Sequence, residues 1–196
     1  MSQEELRQSF GDEERMGLAL GLGATRPWLF SSLSRYWVNH AEYFWELTVG
    51  LGKHRISGQK DHRHLEMVVD SRAIDVGYYR FFSLDLPITY NLGFGLASWK
   101  GEVNPSGVTL DEQDPAGDAL RSGYAASGIY LFLGIGLNFF WENGFYLQYT
   151  VVGLGKSKVF EHSLTQKTSS AEPIILKNLE TGQSYGFTNV KLGWMF

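Results

Sequence analysis

The sequence predicts an all-β fold: an eight-stranded antiparallel, up-and-down transmembrane β-barrel over residues 14–196, behind a polar N-terminal lead-in over residues 1–13. Three observations predict it. Segments of alternating hydrophobicity recur from Arg15 to Phe196 and are separated by turn-like stretches. The faces opposite the apolar residues carry glycine rather than the Lys, Glu, Ser and Thr of a water-facing surface. The chain is 15% aromatic and has 23 Gly against 5 Pro, a balance that favours strands over helices.

The segments follow in order. Met1–Asp12 reads as a solvated lead-in. Arg15–Thr25 puts Met16, Leu18, Leu20 and Leu22 on one face and small residues on the other. Trp28–Val38 is a strand whose faces the sequence does not assign, and Val38-Asn39-His40-Ala41 turns the chain. Glu42–His54 shows Tyr43, Trp45, Leu47, Val49 and Leu51 on one side. Lys53–His64 is polar and basic and reads as a loop. The fourth strand covers Ala73–Phe82, starting as early as Leu65, and Asp85-Leu86-Pro87 ends it. Ile88–Lys100 alternates Ile88, Tyr90, Leu92, Phe94 and Leu96 with small residues. A long acidic loop spans Gly101–Arg121. Tyr124–Trp141 has the clearest apolar face, from Ile129 to Trp141, and Asn143-Gly144 signals a tight hairpin. Phe145 to about Phe160 is the seventh strand, Glu161–Gln183 a polar loop, and Tyr185–Phe196 the closing strand.

No segment approaches the roughly 20 apolar residues of a membrane-spanning helix. A barrel strand crosses with about 9–11 residues, only one face of which is apolar. Apart from the short Arg26-Pro27 connection after the first strand, short connections near Asn39, Pro87 and Asn143 alternate with long ones after the third, fifth and seventh strands, as in barrels with short inner turns and long outer loops. In a soluble barrel the apolar face points inward; here the glycine-rich faces suit a narrow lumen instead. Tyr43, Trp45, Phe139, Trp141, Phe145, Trp194 and Phe196 gather at the turn-side ends of the apolar faces, like an interfacial girdle. A net charge of −4 implies no general attraction to nucleic acid, and the absence of cysteine removes disulfides and thiolate metal sites. No cofactor and no metal is expected.

The C-terminal Val190-Lys191-Leu192-Gly193-Trp194-Met195-Phe196 is similar to the terminal signal of bacterial outer-membrane barrels, with Val190, Leu192, Trp194 and Phe196 at the alternate positions. Together with the Gly-Leu-Gly, Gly-Phe-Gly and Gly-Ile-Gly repeats, the chain from Arg15 to Phe196 resembles the small outer-membrane barrels related to OmpA, OmpX and OmpW. The resemblance implies residence in a bacterial outer membrane, contact with its lipid and lipopolysaccharide, and recognition by the barrel-assembly machinery. Met1–Glu14 has no apolar core of a signal peptide, so the export leader is expected to lie outside this sequence.

On this parity Glu46, Lys191, Asn138 and Gln148 point into the lumen, with Asp75 and Arg15. Glu46 is expected to find Lys191, Arg15 or Arg35 in a charge network that holds the barrel shut, because buried charges need partners. Lys53, Arg55, Lys60 and Arg63 form a basic loop able to contact lipopolysaccharide phosphates. His62 and His64 lack the partners of a metal site. Some outer-membrane barrels deacylate lipid A with a His and a Ser two apart on one strand face; His162 and Ser163 are adjacent and face opposite sides. The leading reading is a non-enzymatic barrel with a structural or surface-interaction role through its loops, alone or within an envelope complex. The alternatives are a lipid A-modifying enzyme and a soluble lipocalin-like ligand-binding barrel, although the first strand lacks the Gly-x-Trp that lipocalins usually carry.

Overall fold

The computed structural model describes residues 3–12, 15–25, 28–38, 40–60, 63–106, 122–165 and 184–196. Eight strands follow one helix: α1 (Gln3–Asp12), β1 (Arg15–Thr25), β2 (Trp28–Val38), β3 (Tyr43–Lys60), β4 (Arg63–Phe81), β5 (Ile88–Ser106), β6 (Ser122–Phe140), β7 (Phe145–Thr165) and β8 (Ser184–Met195). Each strand pairs antiparallel with its neighbours in the chain, and β8 pairs with β1 to close the barrel. At the seam Leu20 faces Leu192 in register. Met16 and Phe196 exchange backbone hydrogen bonds of 3.1 and 2.7 Å, so the terminal residue completes the ladder.

The side-chain parity separates a lipid-facing exterior from a packed lumen. Leu20 and Leu22 on β1 are 70% and 73% exposed, while Glu46 and Asn138 are buried inside. A soluble ligand-binding barrel has the reverse arrangement, so that alternative is overturned. The faces of β2, unassigned from sequence, resolve: Ser32, Ser34, Tyr36 and Val38 point inward, whereas Ser31, Leu33 and Arg35 point outward. Serine on both faces hides this parity in the sequence.

Two expectations need correction. The lead-in is not wholly solvated: it forms α1, with Leu6 and Arg7 buried. The basic stretch after the third strand is not a loop. β3 runs on to Lys60 and β4 starts at Arg63, with Lys60 opposite Arg63. β5 and β7 likewise continue to Ser106 and Thr165, into stretches read as loop. An arm that stands clear of the bilayer has water on its outer side, so nothing forces the apolar alternation by which a strand is recognised. The acidic residues Asp111, Glu112, Asp114 and Asp118, and the polar connection after Thr165, lie outside the described residues.

The wall is therefore uneven. β1, β2 and β8 have 11, 11 and 12 residues, close to one membrane crossing. β4, β5 and β6 have 19 each and β7 has 21, about twice what a crossing needs. The excess all lies on the side away from the short turns at residues 40–42, 82–87 and 141–144.

β7 carries an irregularity between Thr150 and Gly153 in its pairing with β8. Val151 and Val152 both face outward there, at 45% and 59% exposure, so the parity of the strand flips. Beyond the bulge Leu154, Lys156 and Lys158 are on the exterior.

Candidate functional site

The lumen is filled in two layers. Nearest the short turns lies an aromatic floor of Tyr36, Phe44, Tyr79, Phe81, Phe140 and Tyr146, closed in by Val38, Ala19 and Met195. Phe44 stacks on Tyr79 at 4.8 Å between ring centroids and meets Phe140 and Tyr146 edge-on. Sequence parity places these rings inside one by one. It does not show that six of them from β2, β3, β4, β6 and β7 meet at one level, because that depends on the stagger between strands.

A polar layer rests on the floor. Lys191 of β8 makes an ion pair with Glu46 of β3, reaching across the lumen past β1 and β2. Both residues are buried. Thr48 Oγ1 donates to Glu46 Oε1 at 2.9 Å, lies 3.4 Å from Lys191 Nζ, and shares a 3.0 Å hydrogen bond with Ser34 Oγ. The Tyr36 hydroxyl donates to Gln148 Oε1 at 3.0 Å, and the Tyr146 hydroxyl to Asn138 Oδ1 at 2.7 Å. Floor and polar layer are thus joined by phenols whose rings belong to one and whose hydroxyls belong to the other. Gly21 makes room for the pair: a Cβ there would lie 2.8 Å from Lys191 Cγ and 2.5 Å from Ser32 Oγ.

The remaining residues expected in the charge network are placed differently. Asp75 faces the lumen and accepts a hydrogen bond from the Tyr130 hydroxyl at 2.7 Å. Arg15 is half-buried at the turn-side start of β1, in register with Val38. Arg35 is a correction: it lies on the exterior, its guanidinium 3.0 Å from Met16 Sδ and 5.1 Å from the centroid of the Trp37 ring. Its odd position, between inward Ser34 and Tyr36, excludes it from the lumen.

The exterior has a regular order. Trp45, Trp141, Trp194 and Phe196 ring the turn-side end. Phe139, Trp141, Phe145 and Trp194 contact one another in succession at 5.1–6.3 Å between centroids, and Trp45 packs on Tyr78 at 5.0 Å. Val190, Leu192, Trp194 and Phe196 are all outward and exposed. Beyond the girdle every strand except β2 presents an apolar run, and on β3, β4, β5 and β7 exposed cations lie past it: Lys53, Arg72, Lys100 (after Ser98), and Lys156 with Lys158. Asp70 stands among them, 3.9 Å from Lys53 and opposite Lys100 in register. Of the cations expected from sequence, only the Lys53 side chain is described; those of Arg55, Lys60 and Arg63 lie outside the described residues, as does His62.

Nothing among the described residues assembles a catalytic centre. His162 and Ser163 occupy consecutive positions of β7, opposite Ala126 and Ala125. No group of three or more His, Cys, Asp or Glu able to hold a metal occurs among the described residues.

No protein-family model matches the sequence, and no curated protein matches it. Solved structures do match in fold. A major outer membrane protein from Thermus thermophilus superposes with a TM-score of 0.62 at 11% identity, over 93% of this chain and 99% of that one. The N-terminal β-barrel domain of Pseudomonas aeruginosa OprF gives 0.45 at 11% identity, over 93% and 98%. Ail, the attachment invasion locus protein of Yersinia pestis, gives 0.46 at 9%, over 93% and 95%. In fold, the chain is a closed eight-stranded antiparallel β-barrel similar to that outer membrane protein of Thermus thermophilus.

Proposed function

We propose that the chain is a non-enzymatic barrel of a bacterial outer membrane that works through its outward-facing, long-stranded side. There it engages the phosphates of lipopolysaccharide and carries surface interactions, by itself or as a subunit of an envelope complex. One observation carries this reading. The outward apolar runs Tyr43–Leu51 on β3 and Ile88–Leu96 on β5 have the length of one crossing; the next outward residue is Lys53 on β3, and on β5 Lys100 follows after Ser98, while Arg72 and Lys156 directly follow the apolar runs of β4 and β7.

Lys53, Arg72, Lys100, Lys156 and Lys158 stand at the level where lipid headgroups begin, with the acids Asp70 and Glu161 among them on the same strands. Ammonium and guanidinium groups so placed form charge-assisted hydrogen bonds with phosphate. Arg55, Lys60 and Arg63 lie further along the same β3–β4 arm and extend the basic character outward. The lumen, by contrast, is filled by side chains with its buried Glu46 and Lys191 paired, which supports a structural role.

The test is barrel stability in bilayers that contain lipopolysaccharide, compared with lipopolysaccharide stripped of its lipid A phosphates. The native chain is expected to unfold later in urea on the phosphorylated form. A variant combining Lys100→Gln, Lys156→Gln and Lys158→Gln should lose most of that difference while keeping its stability in neutral detergent. An equal response of native and variant chains to the two lipids would reject the phosphate reading.

A further inference from the structure

The N-terminal helix sits where a solvated lead-in would not. We propose that α1 is a strap that closes the turn-side mouth of the barrel, anchored by Arg7 on the wall opposite the strand from which it departs.

The topology places its two ends. β1, to which α1 is joined, and β5 are four places apart in a ring of eight strands, so the β4–β5 connection lies across the mouth from β1. The Arg7 guanidinium Nη1 donates to two carbonyls of that connection, Ser83 O at 3.3 Å and Leu86 O at 3.1 Å. The guanidinium carbon lies 4.1 Å from the centroid of the Phe81 ring, the last residue of β4. Arg7 lies five residues before the end of the helix, about 7.5 Å of rise, and its long side chain carries the guanidinium onward to the far wall.

Burial shows that the strap is seated. Arg7 is 1% exposed and Leu6 is 2% exposed, although Glu5 and Gln8 on either side of them are on the surface. Leu6 packs into the same cluster as Tyr36, Phe44, Phe140 and Tyr146. It therefore covers the aromatic floor from below. An arginine is suited to the far anchor because its planar cation can donate to carbonyls at its edge while its face lies on a ring. The β4–β5 turn supplies both, with carbonyls that no strand ladder uses.

The consequence is a barrel whose closure does not rest on the β1–β8 ladder alone. The strap links the seam strand to the far wall and excludes water from the rings at the mouth. It lies outside the strand ladder, so it can release while the barrel stays folded.

The chain contains no cysteine, so a single introduced thiol reports on the strap. In the folded, heat-modifiable barrel in detergent, Leu6→Cys should react with a maleimide at least tenfold more slowly than Gln8→Cys. Adding Arg7→Ala should raise the Leu6→Cys rate at least fivefold with the barrel still folded, and Arg7→Lys should raise it less. Backbone amide exchange over residues 3–12 of the native chain provides a second reading free of the cysteine. Those amides should exchange at least tenfold more slowly than in the free peptide, and Arg7→Ala should abolish the difference. Equal thiol rates at positions 6 and 8 together with free-peptide exchange would overturn the strap. Protection that is indifferent to Arg7→Ala would overturn its anchoring.

Discussion

Two residues show how much the barrel asks of single positions. Gly144 closes the β6–β7 hairpin at φ 85°, with its N–H on Trp141 O at 2.9 Å and its carbonyl accepting from Met195 N at 2.7 Å. The left-handed conformation costs an L-residue about 1–2 kcal/mol, and a Cβ would also lie 2.5 Å from Met195 O. Gly144→Ala is expected to lower unfolding free energy by about 2 kcal/mol or more, read in urea titrations in detergent. Lys191 is the second case. Lys191→Met leaves Glu46 buried without its cation, which costs about 3–5 kcal/mol. The double variant Glu46→Gln, Lys191→Met removes the charge as well as the partner and should recover most of the loss. Additive losses in that cycle would show that the pair is not coupled across the lumen.

At the scale of the element, lipid on one side and a crowded lumen on the other make neighbouring positions fail for different reasons. Leu133 faces lipid in the middle of β6, and Leu133→Arg should cost about 2–4 kcal/mol in a bilayer. Gly134 faces inward, where even a Cβ would approach Asn91 Oδ1 to 2.5 Å, so Gly134→Arg should block folding outright. Folding yields into lipid vesicles separate the two: slowed or weakened for the first, absent for the second. The same two-sidedness explains what the sequence reveals. Inside the bilayer the alternation marks β1, which is bounded from sequence to the residue; β2 is bounded as closely, although its alternation is too weak to assign its faces. That Glu46 needs a cation inside was legible too, but parity and charge left Lys191, Arg15 and Arg35 open as its partner, and the structure selects Lys191. Outside the bilayer nothing enforces the pattern, so the arms of β3–β4, β5 and β7 read as loops. The bulge at Val151 and Val152 is equally silent, since two valines in succession look like noise in an alternating run. With the bulge unseen, the outward positions of Lys156 and Lys158 could not be read. Arg7 was missed for another reason: its partners are backbone carbonyls, which carry no signature in a sequence.

For the whole molecule the question is whether the barrel conducts. An eight-stranded barrel is only wide enough for its own side chains, and here those side chains form consecutive barriers. The aromatic floor brings rings from five strands together with centroids 4.8–6.3 Å apart. Above it the Glu46–Lys191 pair spans the lumen, and Asn138, Gln148, Thr89 and Thr150 are fully buried around it. A solvated ion entering from either end would have to displace paired charges and then shed its water against apolar rings. The native chain in planar bilayers is therefore expected to show no sustained ohmic conductance. Releasing α1 by Arg7→Ala should not change that, because the floor remains. Opening the lumen requires removal of both barriers, as in a variant combining Phe44→Ala and Tyr146→Ala with Lys191→Ala, provided that it still shows heat-modifiable migration. Steady unitary currents from the native chain would contradict a packed lumen. A closed lumen would leave the exterior, with its girdle, apolar belt and rim of cations, as the surface through which this barrel acts.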